Sequence, residues 1–457
     1  VKLLVNDYQN NLGAFAEWAV ALRFEDLSDY TVSRASRVLF DMVGVMMAGS
    51  QESEMKELSK RLSVTSDQIA TIFTYGYPQA DYLRAAFHNA TEAVFLEMDE
   101  HHRPTGHPGS HVIPSALAQA EMLNSSGQNF ITAVVAGYDM AARLANGCML
   151  RDFMHCHGHM GTVGAAVANA KLRGFNENQM RETIHIAASM PLFSSWEPCF
   201  EGATVRNTYT GVSAMLGIIA ADLAESCFTG LHNGLEHTFG ELIGSSFNTA
   251  MLSDKLGTPQ IDTNMFKFHS CCGMNHPPLD ALREAVLGYE LDWREVDHVN
   301  MHVTERCLRL NRLPMPKQLS TKFSIPFAVA TALYNGNSYP SSFRDEMAGN
   351  QEILDLASRV YLIPDNELTA RWPEAGGAVA EVVLYDGRIL RGEVRDPYGW
   401  YTRPSNDEDI INKFALMNSA YYNEAQVREI FAVCCQIPSY AAIRSLTTAL
   451  RQTDNIL

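Results

Sequence analysis

Positive charge is scarce in this sequence. Lys and Arg number 35 against 52 Asp and Glu over 457 residues, a net charge of −17, which argues against a nucleic-acid or anionic-membrane surface, where a basic footprint is needed. A small anionic substrate is not excluded, because only the local field of a pocket counts for it. Long apolar runs are missing as well: no stretch of about 18 apolar residues is present to span a bilayer. The first fifteen residues, "VKLLVNDYQNNLGAF", lack the apolar h-region of a secretory signal. Cysteine is sparse and odd in number, at nine, and Cys271-Cys272 and Cys434-Cys435 are adjacent pairs. Such spacing builds neither a zinc ribbon nor a disulfide framework. Reduced thiols, a cytoplasmic location, and no nucleic-acid or membrane partner are the expectations. Internal repeats and low-complexity tracts are also missing.

What is present is ample material for packing. A hydrophobic content of 46% over 457 residues exceeds what one core normally takes up and points to two domains. From Leu12 to about Met251, apolar positions recur every three or four residues, as in "DYTVSRASRVLFDMVGVMMAGS", where Val32, Ala35, Val38 and Leu39 share a stripe and the helical signal ends at Gly49. In "SALAQAEMLNSSGQNFITAVVAGYDMAARLANG" two helices are expected, with Gly127 as terminator. Asn176 and Gln179 form a capping-box start, and Gly161, Ala165 and Ala168 line one helix face with small side chains that permit close packing. After about Ile261 the texture changes: "VDHVNMHVTER" alternates, and "AVAEVVLYDGRILRGEV" is a hairpin signal turning at Asp386-Gly387. Helical stretches are expected near 277–289, 322–335 and 350–358, and again over the last fifty residues. The fold class is therefore mostly α: a large all-helical domain formed by both chain ends (1–262 and 404–457), with a smaller α+β lid domain (263–403) inserted.

Two histidine-rich stretches carry the chemistry. "EMDEHHRPTGHPGSH", residues 97–111, holds three acids and four histidines; "FMHCHGHMGTVG" adds His155, His157, His159 and Cys156. Together they contain seven of the chain's fifteen histidines. Imidazole and thiolate suit zinc or iron, but no standard ligand spacing such as H-E-x-x-H or C-x-x-C is present, and histidines hydrogen-bonded at helix junctions are a structural alternative for any one of them. Acid–base chemistry fits better, because imidazole titrates near neutrality and an adjacent carboxylate tunes it. A substrate with several carboxylates also needs cations. Arg103, Arg206 in "EGATVRNTYTG", and Lys267 and His276 near the ends of "FKFHSCCGMNH" are candidates, although any single Arg or Lys is more often a surface charge.

In this order, "LFDMVGVMMAGS", "FHNATEAVFLEMDEHHRPTGHPGSHVIPSALAQAE", "AGYDMAARL", "FMHCHGHMGTVGAAVANAKLRGF", "VRNTYTGVSAMLGIIAADLAESCFTG", "FKFHSCCGMNHPPLDAL" and "KFSIPFAVATALYNG" resemble the MmgE/PrpD family. Its members dehydrate 2-methylcitrate, decarboxylate cis-aconitate or epimerise iminodisuccinate. The resemblance implies a large helical domain with a smaller lid, a homodimer, and catalysis with neither metal nor other cofactor. It also implies that His107 and His155 line the catalytic cleft, and that Lys267 and His276 lie near the domain junction. The chain departs from the family in several places. Where "DFDDT" is common, it has "EMDEH", so Glu97, Glu100 and His101 replace Asp, Asp and Thr, while Asp99 keeps its type. Arg206 stands for a Lys, and Phe327 for a Tyr.

All three family reactions act beside a carboxylate and share a need for a base, an acid and an electrostatic clamp. The leading expectation is a dehydratase of a hydroxylated di- or tricarboxylate. In it, Arg206, Lys267 and Arg103 bind carboxylates together with Asp99 and His276 in the pocket, His155 or Glu97 removes the α-proton, and His107 or His101 protonates the leaving hydroxyl. Decarboxylation of a cis-aconitate-like acid and epimerisation of a substituted succinate are alternatives within the family. A non-catalytic ligand-binding member and a metal-dependent hydrolase stand outside it.

Overall fold

A computed structural model describes residues 2–61, 69–104 and 106–454 of the chain. It is 59% helix and 10% strand, which makes it mostly α with a smaller α+β part. The longer helices are α1 (Lys2–Ala21), α2 (Asp29–Gly49), α3 (Tyr82–Ala93), α4 (Pro108–Leu123), α5 (Gly127–Gly147), α6 (Met160–Leu172), α7 (Glu177–Ala188), α8 (Thr208–Glu225), α9 (His276–Ala285), α10 (Ile325–Asn335), α11 (Asp407–Asn418), α12 (Glu424–Cys435) and α13 (Ile443–Asp454). No helix of the described residues is long and apolar enough to cross a membrane.

Local sequence explains most of the helix ends. Ser28 Oγ accepts the Thr31 N–H at the start of α2, and Asn176 and Gln179 make the reciprocal capping box of α7, each satisfying amides that have no partner inside the helix. Gly127 is a correction. The residue that ends α4 is Asn124, at φ 52, while Gly127 begins α5 behind the Ser126 cap. A Cβ on Gly127 would run into the Ile437 carbonyl, so its small size serves a contact with the C-terminal segment and not a turn.

Two hydrophobic cores result. The first joins α1, α2 and α4 to α7 with the chain's end: Phe40 stacks on Phe414 of α11 at a centroid distance of 4.8 Å, and Ile410, Ile430 and Leu446 share the cluster with Val43, Phe130 and Val163. The small-residue stripe of α6 is used here. A Cβ at Gly164 would strike the Gly137 carbonyl of α5, one at Gly161 would strike the His111 ring of α4, and Ala165 lies against Gly217 of α8. The second core lies under a four-stranded sheet of β1 (Val296–Val303), β2 (Val360–Pro364), β3 (Ala378–Leu384) and β4 (Ile389–Val394), in the order β2-β1-β3-β4. β1 pairs parallel with β2 and antiparallel with β3, and β3 turns into β4 through Gly387 at φ 89. In β1, Val296, Val299, Met301 and Val303 are buried with Leu279, Phe327 and Leu390. α9 lies close enough to β4 that a Cβ on Gly392 would meet the backbone of Ala281 and Ala285.

Candidate active site

Between α3 and α4, residues 94–104 lie outside helix and strand apart from one β-bridge at His101, and the buried acids lie on this stretch. Glu97 has φ 53, a left-handed conformation that a β-carbon disfavours and that surrounding contacts must hold. Several do. Lys413 of α11 reaches back to the Met98 carbonyl at 2.6 Å and pairs with buried Asp41 of α2. His101 and Met265 exchange backbone hydrogen bonds at 2.8 and 2.7 Å. Glu100 braces the start of α4: one oxygen accepts the Gly109 N–H at 2.5 Å and the other accepts the Tyr138 hydroxyl at 2.7 Å. Burial pushes the Glu100 carboxyl up to about 7 against those two bonds.

The result is a compact charge cluster. Arg206 pairs with Glu97 through NH1. Lys267 Nζ lies 3.4 Å from Glu97 Oε2 and 3.8 Å from Asp99 Oδ1. His107 Nδ1 donates to the Glu100 carbonyl at 2.8 Å and lies 2.8 Å from Asp99 Oδ2 as an ion pair, while the ring also interacts with Cys156. Burial would strip the proton from His107, but the Asp99 carboxylate outweighs it and raises the imidazole to about 10. Burial likewise works against ionised Asp99 and Glu97, yet His107 and Lys267 hold the first, and Arg206 and Lys267 the second, below the usual carboxylate range.

A stack of neutral imidazoles surrounds this dyad. His157 is stacked with His107 at 4.6 Å between centroids, with His155 at 4.9 Å and with His111 at 5.2 Å. His101 meets His107 edge-on at 4.8 Å. His155, His157 and His101 are pushed well below their ordinary value, by burial first and by the neighbouring cations next. The His157 backbone N–H donates to His155 Nδ1 at 3.1 Å, and the Arg206 guanidinium lies 3.5 Å from His155 Nε2, so a donor faces each ring nitrogen of His155. His107, Cys156 and His157 offer ligand atoms within 4.8 Å of one another, a set that could take a soft metal ion. Protonated His107 and nearby Arg206 place positive charge where such an ion would sit, and the arrangement suits an anion better.

Two family models cover most of this chain: the MmgE/PrpD N-terminal domain matches residues 13–249 and the MmgE/PrpD C-terminal domain matches residues 269–437. The chain belongs to the MmgE/PrpD family. Among its relatives, a cis-aconitate decarboxylase of Aspergillus terreus is 22% identical, covering 90% of both chains. The human protein of that name is 24% identical over 96% of this chain and 94% of its own, and that of Mus musculus 23% over 96% and 93%. The protein is accordingly an MmgE/PrpD enzyme of the lyase class. The C-terminal family model extends over α11 and α12, which pack in the first core and, through Lys413, hold the Glu97–Asp99 turn.

Within this MmgE/PrpD site the expected residues do not all gather. Glu97, Asp99, His107, His155, Arg206 and Lys267 form one cluster. His101 touches it edge-on and borders a small cavity with Arg306 and Trp372. His276 stands at the start of α9 beside His269, at 4.9 Å, with its Nε2 unpartnered and buried. Arg103 departs furthest from expectation: its guanidinium donates to the Pro373 carbonyl at 2.6 Å and Asp396 at 2.9 Å and lies 3.8 Å from the Trp400 ring centroid. It joins the two halves of the molecule, with those partners in place of a substrate. Sequence reasoning passed over Arg306, Arg309 and Lys322. Lys322 is buried, donates to the Phe95 carbonyl at 3.1 Å, and is pulled by burial to about 8; it opens the family stretch "KFSIPF", which was the available signal. Arg306 and Arg309 follow the alternating β1, and a pair of arginines just past a strand's C-terminal end was the cue for them.

Proposed function

We propose that the protein is a decarboxylase of a small unsaturated polycarboxylate of the cis-aconitate type. The observation that carries this reading is a protonated acid among weak bases: His107 is held as an imidazolium by Asp99, while the groups expected to act as base are poor ones. Glu97 is committed to Arg206 and Lys267, and His155 has its Nδ1 occupied by the His157 amide. Dehydration and epimerisation begin by removing a proton and need a competent base. Decarboxylation needs the reverse. The bond from carbon to the departing carboxylate breaks, carbon dioxide leaves, and the electron pair left behind takes the proton from His107 Nε2, which solvent later replaces. Lys267 faces negative charge as it develops, the kind of preorganised stabilisation that lowers such a barrier. The named activity of the relatives agrees with this direction.

The test is a product assay with cis-aconitate, 2-methylcitrate and substituted succinates in heavy water. Carbon dioxide released with one deuterium in the product is the expected result. An unsaturated acid formed with loss of water, or an inverted centre with no carbon dioxide, would assign the site to the other reactions of the family.

A further inference from the structure

The inner cations of the site already face carboxylates, so the substrate's remaining negative charge has to be met elsewhere. Outside the cluster, a cleft of about 400 Å³ opens between the two cores, reaching Cys156 at its inner end and bordered by Trp196, Trp372, Arg306 and Arg309. In a chain of net charge −17, the charged residues on this cleft are Arg151, Arg306 and Arg309 against Asp152 alone. Arg151 is committed to the Leu242 and Glu241 carbonyls. Arg306 is not. Its guanidinium lies 4.0 Å from the Trp372 centroid, NH1 donates to the Pro104 carbonyl at 3.3 Å, and no carboxylate pairs with it among the described residues. Burial acts on this cation without a counter-ion to offset it, and lowers its pKa. Arg309 lies over Trp196 at 5.0 Å, and its nearest acid is Asp152, at 3.7 Å and fully exposed. The planar fork of a guanidinium held over an indole loses less freedom on receiving a carboxylate.

We propose that Arg306, with Arg309 beside it, is a second carboxylate subsite, which holds the end of the substrate remote from the reacting carbon and makes a further carboxylate a requirement for binding. The inference rests on the reading of the site as one for polycarboxylates, and assigns the role first expected of Arg103 to a residue of the inserted domain. Because Arg306 follows β1 of the second core and Cys156 lies on the first, a ligand spanning the two would draw both sides of the cleft onto itself.

Isothermal titration of the intact protein with unreactive acids tests it: tricarballylate, glutarate and butyrate carry three, two and one carboxylates. Arg306→Gln is expected to weaken tricarballylate tenfold or more and to change butyrate less than twofold, with Arg306→Lys recovering part of the loss. Arg309→Gln, at the cleft rim, is expected to weaken tricarballylate at least threefold, and serves if Arg306→Gln does not fold. Tricarballylate bound equally by wild type and both glutamine variants would overturn the subsite and leave the polycarboxylate reading standing. An equal loss for all three acids in Arg306→Gln would make the residue a general structural support and also overturn the subsite. Failure of the wild type to bind any of the acids would overturn both.

Discussion

His107 is protonated because of one neighbour, and that dependence can be read in solution. Its folded-state value of about 10 lies above the ordinary 6.5. Its proton therefore stabilises the fold fully below about pH 6.5, and that contribution is lost as pH rises through 10. If the imidazolium is the proton donor, kcat falls on the alkaline side with the same midpoint, and Asp99→Asn moves that midpoint down by a pH unit or more; an unmoved midpoint in the variant would assign the alkaline limb to another group. His107→Asn is expected to lower kcat by about 10²–10⁴-fold, the usual scale of a lost acid–base group, with an unchanged circular dichroism spectrum. Glu97 answers to a different energy. Glu97→Gln leaves buried Arg206 without its paired carboxylate and Lys267 with Asp99 alone, and breaking such a buried pair costs about 3–5 kcal/mol, read as a lower urea midpoint. These residue types and their clustering were legible in "EMDEHHRPTGHPGSH"; the charge state of Glu97 and Asp99 was not, because it depends in part on Lys267 and Arg206, more than a hundred residues away in sequence.

At the level of elements, α6 is a helix made for proximity. Gly161 and Gly164 let it approach α4 and α5, and the approach brings His111 of α4 under His157, so a packing feature sets the geometry of the imidazole stack. Gly161→Ala is therefore expected to do two things together. It destabilises the protein by about 1–3 kcal/mol, as overpacking does, and it lowers turnover by displacing His111 and His157. Loss of stability with full turnover would separate the stack from catalysis. Helical periodicity, the capping box of α7, the hairpin at Gly387 and the small-residue stripe were legible because each is a local pattern. Gly127 was misread because its partner, the Ile437 carbonyl, lies at the other end of the chain, and nothing local distinguishes a glycine kept for close approach from one that ends a helix.

Across the whole molecule, the site is a product of two cores meeting, and long-range ties hold them in register. Arg103 is the most telling of these. It leaves the acidic stretch of the first core and is received in the second part by Asp396, which also accepts the Gly376 N–H at 3.0 Å and the Thr402 hydroxyl at 2.8 Å. The smaller α+β part was visible in the alternating pattern after Ile261, whereas the tie was not, since an arginine in a histidine-rich loop reads as a substrate ligand until its partners are known. Asp396→Ala removes the carboxylate that ion-pairs with this nearly buried guanidinium, and breaking such a pair costs about 3–5 kcal/mol. That loss falls on the contact between the cores and not within either, so it should weaken their coupling more than their packing. Calorimetry of the wild type is expected to give one transition, and of Asp396→Ala two, with the core under the four-stranded sheet melting first. A single transition shifted down as a unit would mean that the remaining contacts, among them the Phe266 N–H bond to the Gly399 carbonyl, are enough to keep the cores cooperative, and that Arg103 positions the acidic stretch without joining the two parts.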